Sequence, residues 1–179
     1  MEFISFQKIG RLARGMVVTE KLDGTNAQVV FDDEGVMWVG SRNRWITPGD
    51  DNYGFAKWCA ENEDELRKLG PGRHYGEWWG QGIQRGYGLK EKRFSLFNTG
   101  RWNAENLPAC CSTVPILYSG VFDNAAVEAA IEALREYGSA AAPGFMDPEG
   151  VVVFHSATNT LFKKTLKKDE SPKSLVIPA

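Results

Sequence analysis

At 179 residues, 42% of them hydrophobic, the chain has room for one ordinary domain that buries roughly two-thirds of its unfolded surface, and none for a second complete one. Its formal net charge of -2 excludes a protein that grips a polyanion by bulk electrostatics, so any nucleic-acid contact must come from local patches. Three cysteines, Cys59, Cys110 and Cys111, show no metal-ligand spacing, no apolar run nears the ~20 residues of a membrane span, and Met1-Glu2-Phe3 opens no secretion signal, which together point to a soluble, cytoplasmic setting.

In chain order, alternating and branched apolar residues predict strands over 16–22, 26–31 and 36–41, the last two joined as a hairpin by Asp32-Asp33-Glu34-Gly35. Lys21 thus sits at a strand end, with a turn through Asp23 and Gly24 directly after it. Phe55, Trp58, Cys59, Leu66 and Leu69 fall at helical spacing, predicting a helix over 54–69 that Gly70-Pro71 stops. Strand-like runs follow at 73–79 and 93–98. Between them, "GQGIQRGYG" puts Gln81, Gln84 and Arg85 on a glycine-rich loop that suits phosphate or RNA-backbone contacts and a plain turn equally well.

Farther on come a strand over 115–122, a helix over 124–137 with Val127, Ile131, Leu134 and Tyr137 inward, strands over 150–155 and 160–166, and a frayed tail from Asp169. Trp78 and Trp79 read as packing residues, and His74 and His155 as structural or exposed. The whole is α+β, with mostly antiparallel sheets and flanking helices, in one domain spanning 1–179. Basic residues gather at 84–101 (Arg85, Lys90, Lys92, Arg93, Arg101) and near the C-terminus (Lys163, Lys164, Lys167, Lys168, Lys173).

Five short motifs place a charged or aromatic residue beside or within an apolar strand, an unfavourable arrangement unless the charges meet one another or a ligand. They are "KLDGTN" at 21–26, "SRNR" at 41–44, "YGEWWG" at 75–80, "RFSLFN" at 93–98 and "EGVVV" at 149–153, followed by Phe162-Lys163-Lys164. Each is weak alone. In this order the series resembles the covalent nucleotidyltransferases, and most closely the adenylation domain of ATP-dependent, nick-sealing RNA ligases.

That resemblance implies a domain of the ATP-grasp-like ligase adenylation type. It also implies ATP and Mg²⁺ or Mn²⁺ as cofactors, RNA 5′-phosphate and 3′-hydroxyl ends as partners, and no membrane. Lys21 would be the nucleophile that takes AMP. An ordinary lysine, of pKa about 10.4, is neutral in only about 4 parts in 10,000 at pH 7, so such a site must supply up to about 4.6 kcal/mol. A strand continuing through Asp23 would put that carboxylate beside the Lys21 amine, to orient it or hold a metal-bound water. By resemblance, Glu20 faces the adenine edge and Asn26 the ribose or phosphate. Arg42 makes a forked contact, Glu77 takes a ribose hydroxyl, and Glu149 supports the metal through waters. Phe97 stacks on the base, with Phe94 as the alternative, and Lys163 contacts the α-phosphate.

The sequence departs from the family in its last motif, where many relatives carry two lysines one residue apart. Here position 165 is Thr, leaving Lys164 or Thr165 to stand in. Neither the OB-fold nor the helical C-terminal domain of such ligases is expected within 179 residues, so an accessory protein or domain in trans is a further expectation. Three other readings stay open: a DNA nick ligase, a guanylyl transferase, and a catalytically idle nucleotide or RNA-end binding module.

Overall fold

The structure, a computed structural model, describes residues 1–167. Lys168, Lys173 and the expected tail from Asp169 lie outside the described residues. Nine strands form two sheets among the described residues. Strands β1 (Gly15–Lys21), β2 (Thr25–Phe31) and β3 (Met37–Ser41) lead into helices α1 (Phe55–Glu61) and α2 (Glu63–Leu66). Next come β4 (Gly72–Gly80), β5 (Lys92–Leu96), β6 (Cys111–Thr113) and β7 (Ile116–Val121), then helix α3 (Asn124–Tyr137) and the pair β8 (Gly150–His155) and β9 (Thr160–Thr165). One sheet has the order β7-β1-β8-β9 and the other β3-β2-β4-β5-β6. All neighbours are antiparallel except β5 and β6.

Each sheet buries one face against helix. Met16 and Val18 of β1 and Val151 and Val153 of β8 pack on Val127, Ile131 and Leu134 of α3. Ala27, Val29, Phe31, Trp78, Phe94 and Leu96 pack on Phe55, Cys59 and Leu66. Side chains alternate along a strand, so the opposite faces are free to build a site. Because β1 and β2 belong to different sheets, Leu22-Asp23-Gly24 carries the chain from one to the other, and Lys21 stands at that crossing.

Three expectations change. The helix over 54–69 breaks at Asn62, whose φ of -117° is non-helical and whose side-chain amide donates to the Trp58 carbonyl; a fresh turn then starts with Glu63-Asp64-Glu65. Tyr137 is exposed, because α3 ends there, one turn beyond its packed stretch, while Asp123 caps the other end by accepting from the Ala125 N–H. The short β6 went unread, because three residues, Cys111-Ser112-Thr113, are too few to show an apolar alternation. Trp78 and Trp79 are both buried, and His74 and His155 are buried with one ring nitrogen each against a backbone carbonyl, of Gly70 and Leu12 respectively.

Candidate active site

The alternation of β1 decides what its last two residues do. Met16, Val18 and Glu20 face α3, whereas Val17, Thr19 and Lys21 face the other way. Lys21 pairs with Gly150 in the neighbouring strand, and Glu149, one residue before β8, reaches back so that its Oε2 lies 2.6 Å from Lys21 Nζ. The two side chains keep 26% and 15% of their exposure, so the pair is half-buried and open on one side. Gly150, which follows Glu149, lets β9 close against this corner: at φ +151° a Cβ there would lie 2.2 Å from the Lys164 carbonyl oxygen.

Glu77 of β4 approaches from the second sheet. Its Oε1 accepts from the Gly24 N–H at 3.1 Å and its Oε2 from Asn26 Nδ2 at 3.0 Å. Gly24 is glycine for room rather than for a turn, since a Cβ would stand 2.3 Å from the Trp78 carbonyl oxygen. Glu77 is only 7% exposed, and burial pushes its carboxyl up to about 7, with nearby Glu149 adding to the rise and Lys21, the Gly24 N–H and Asn26 opposing it. A carboxyl that binds its proton more tightly folded than unfolded favours the fold at low pH, and that stability is lost as pH climbs from about 4.5 to about 7. Wild-type protein should therefore melt progressively lower between about pH 4.5 and 7 and level off above that, and Glu77→Gln should flatten this slope. Parallel slopes in calorimetric scans would refute the assignment.

The remaining expected residues divide. The strand expected to run through Asp23 ends at Lys21, and Leu22 turns into a small cluster with Trp79 and Tyr87. Asp23 is engaged by a cation other than the amine: its Oδ2 lies 2.6 Å from Arg85 Nη1, and its N–H donates to Tyr87 Oη at 2.8 Å. Arg85 Nε also lies 3.4 Å from Asp147 Oδ2, and Lys167 Nζ 2.6 Å from Asp147 Oδ1, giving a chain of alternating charge beside the Lys21–Glu149 pair. The glycine-rich loop thus delivers Arg85 to the site.

Glu20 does not face the Lys21 side. It is 1% exposed, its Oε1 accepts from Ser139 Oγ at 2.6 Å, and its Oε2 accepts from the N–H groups of Ala140 and Ala141 at 2.8 and 3.0 Å. Burial raises its pKa and the three donors oppose that rise. The adenine edge expected there would find no free carboxylate.

In β9, Lys163 and Thr165 lie on the Lys21 face, in register with Val152 and Gly150, whereas Lys164 faces α3 and pairs with Glu128 at 2.5 Å. Lys164 is therefore corrected from a nucleotide contact to a tie between β9 and α3. Phe94 is fully buried in the α1 core, while Phe97, just past β5, is exposed beside Tyr75. Arg42, directly after β3, is exposed with no partner among the described residues. The expected patch at 84–101 disperses: Arg85 joins the site, Arg93 pairs with Glu91, Lys92 donates to the Tyr53 carbonyl and Arg101 to that of Leu69. Ser139 and Asp147 were missed, lying outside every motif, and Tyr87 was passed over within the glycine-rich loop, where no pattern marks it.

Among the described residues no group of three or more His, Cys, Asp or Glu could cage a metal. Glu149 and Asp23 are hard oxygen donors, each already facing a cation. Such a set fits Mg²⁺, which keeps most of its waters and takes its other ligands from a phosphate chain.

A family model described as RNA ligase matches residues 14–167. No curated protein matches the sequence. Among solved structures, an apo Naegleria gruberi RNA ligase mutant superposes with a TM-score of 0.61 at 22% identity, covering 86% of this chain and 50% of that one. Two further mutants of that ligase, one with ATP and Mn and one with AMP and Mn, give TM-scores of 0.60 and 0.61 at 20% and 22% identity, covering 89% and 85% of this chain and 52% and 49% of theirs. The chain thus spans about half the length of these proteins, and the likeness is one of α+β fold.

Proposed function

Because this chain belongs to the RNA ligase family, we propose that it is an ATP-dependent RNA ligase working through AMP held covalently on Lys21. The observation that carries the reading is the meeting of Lys21, Glu149 and Glu77 from two sheets at one crossing of the chain. A lysine amine ion-paired at 2.6 Å is oriented but not yet nucleophilic. Its pair with Glu149 has to open and its proton leave to solvent before the nitrogen lone pair attacks the α-phosphorus. The N–P bond then forms, the bond to the bridging oxygen breaks, and pyrophosphate departs with the electron pair.

Bound Mg²⁺ would neutralise phosphate charge. Lys163, on the Lys21 face, suits the α-phosphate, and the Glu77 carboxylate, opposite Ser95 and beside Asn26, suits a ribose hydroxyl. Phe97, exposed on the Glu77 face, suits stacking on the base, and the exposed Arg42 suits a forked phosphate contact. In the second step the N–P bond breaks as AMP passes to a 5′-phosphate, and in the third a 3′-hydroxyl displaces AMP to close the phosphodiester.

The test compares sealing of matched 5′-phosphorylated RNA and DNA with α-labelled ATP and with GTP. AMP transfer to RNA and release from it support the proposal. Sealing of DNA alone would favour the nick-ligase alternative, since the 2′-hydroxyl is the handle that distinguishes the two strands. Label from GTP alone would make it a guanylyl transferase.

A further inference from the structure

The five-stranded sheet carries Glu77 on the face away from its helices, and beyond Glu77 that face lies open. Met37, Val39 and Ile46 point into the α1 core, so Trp38 and Trp45 between them point onto the Glu77 side. Register sets their neighbours: Val30 lies beside both Trp38 and Arg73, and Gln28 beside Tyr75, whose carbonyl accepts from the Phe97 N–H at 3.0 Å. Trp38, Trp45, Tyr75 and Phe97 are 47%, 46%, 52% and 41% exposed.

The rings are held in place. Trp38 and Trp45 lie 5.8 Å apart, and Trp38 Nε1 donates to Asp32 Oδ2 at 2.8 Å. The Arg73 guanidinium sits 5.6 Å from the Trp45 ring centre and donates to Gln28 Oε1 at 3.2 Å. Arg44 is tied to Asp50, while Arg42 has no partner among the described residues. The result is a sheet surface of fixed aromatic and guanidinium planes with unpaired positive charge on its site side. By strand spacing and rise, Trp38 lies roughly 17 Å from Glu77.

We propose that this open face stacks unpaired bases of the RNA strand whose end is joined at Lys21, a reading that rests on the ligase activity above. Every base has a π-face, and unstacked bases settle on aromatic rings and arginine planes. A-form duplex presents phosphates and 2′-hydroxyls instead, so the occupant is single-stranded. The charge of Arg42 and Arg73 matches an RNA backbone, and the face runs without interruption into the Glu77 row.

The test measures binding of fluorescently labelled, 5′-phosphorylated single-stranded RNA and of blunt duplex RNA to the full chain, with AMP labelling followed in parallel. Trp38→Ala and Trp45→Ala should each weaken single-strand binding about 5- to 100-fold, Trp45→Phe should retain it within about threefold, and blunt duplex binding and AMP labelling should not change. Should either alanine variant unfold, Arg73→Gln at an exposed position carries the test, with a loss of about threefold or more. Unchanged single-strand affinity, an equal loss on blunt duplex, or a tryptophan-dependent dimer without an RNA effect would overturn the proposal. If wild type takes no AMP yet the variants lose RNA, the surface stands and the ligase reading falls. If labelling proceeds and RNA binding ignores the tryptophans, the reverse holds.

Discussion

Lys21→Ala should leave no covalent AMP on the protein, at least about 10³-fold below wild type, when α-labelled ATP and Mg²⁺ are added and intact mass is read before and after. The reason is specific to this side chain. It is the one amine brought by β1 to the crossing between the sheets, with Glu149 holding it at 2.6 Å. Alanine removes the nucleophile and also strands Glu149, so a second variant separates the two effects. Lys21→Arg keeps a cation for Glu149 to pair with but supplies no group that loses its proton in a protein. It should match wild type in melting temperature to within about 2–4 °C, because arginine keeps a cation opposite Glu149 and a residual change of about 1 kcal/mol moves a chain of this length by no more than that, and it should still take no label. Label on either variant at wild-type level would move the chemistry elsewhere. Wild type that binds ATP without releasing pyrophosphate, equally well after Lys21→Ala, would establish the idle binding module instead.

Much of this was legible because strands impose a period of two. The motif "KLDGTN" after an apolar run located Lys21 at a strand end, and "EGVVV" located Glu149 one residue before β8; the sheet then made them neighbours through the Lys21–Gly150 pairing. The same period separates Phe94 in the core from Phe97 in the open. Applied to β9 it also separates Lys163 from Lys164, a step the two-lysine pattern obscured.

What stayed hidden depended on where chain crossings go. Asp23 looks from sequence like a third strand residue on the Lys21 face. The strand stops at Lys21 instead, because the link from β1 must reach the other sheet, where Gly24 lies against the Trp78 carbonyl oxygen, and Asp23 is taken up by Arg85. Arg85 comes from a loop with no apolar pattern, including Gln84 and Tyr87 at positive φ, and only the fold brings it to Asp23. Asp147 and Lys167 become neighbours across twenty residues by flanking a β-hairpin, and no local signal marks that closure.

Glu20 gives the other large effect, on stability. Its carboxylate is enclosed, accepts three hydrogen bonds, and ties the end of β1 to the segment Ser139-Ala140-Ala141 after α3. Glu20→Ala leaves two backbone N–H groups and a buried hydroxyl without an acceptor, which costs about 3–5 kcal/mol. For a chain of this length that lowers the melting temperature by roughly 6–20 °C. Ser139→Ala removes one donor, with the Ala142 N–H losing its acceptor as well, and should cost about 1–3 kcal/mol. The two losses should fall short of additivity, because both variants delete the same 2.6 Å hydrogen bond. A residue reading the adenine edge behaves differently: Glu20→Ala would then shift the preference between ATP and GTP and leave the melting temperature within about 2 °C of wild type. Since Glu20 and Lys21 point to opposite faces of β1, an unchanged melting temperature with an altered nucleotide preference would contradict the strand alternation on which the site itself is built.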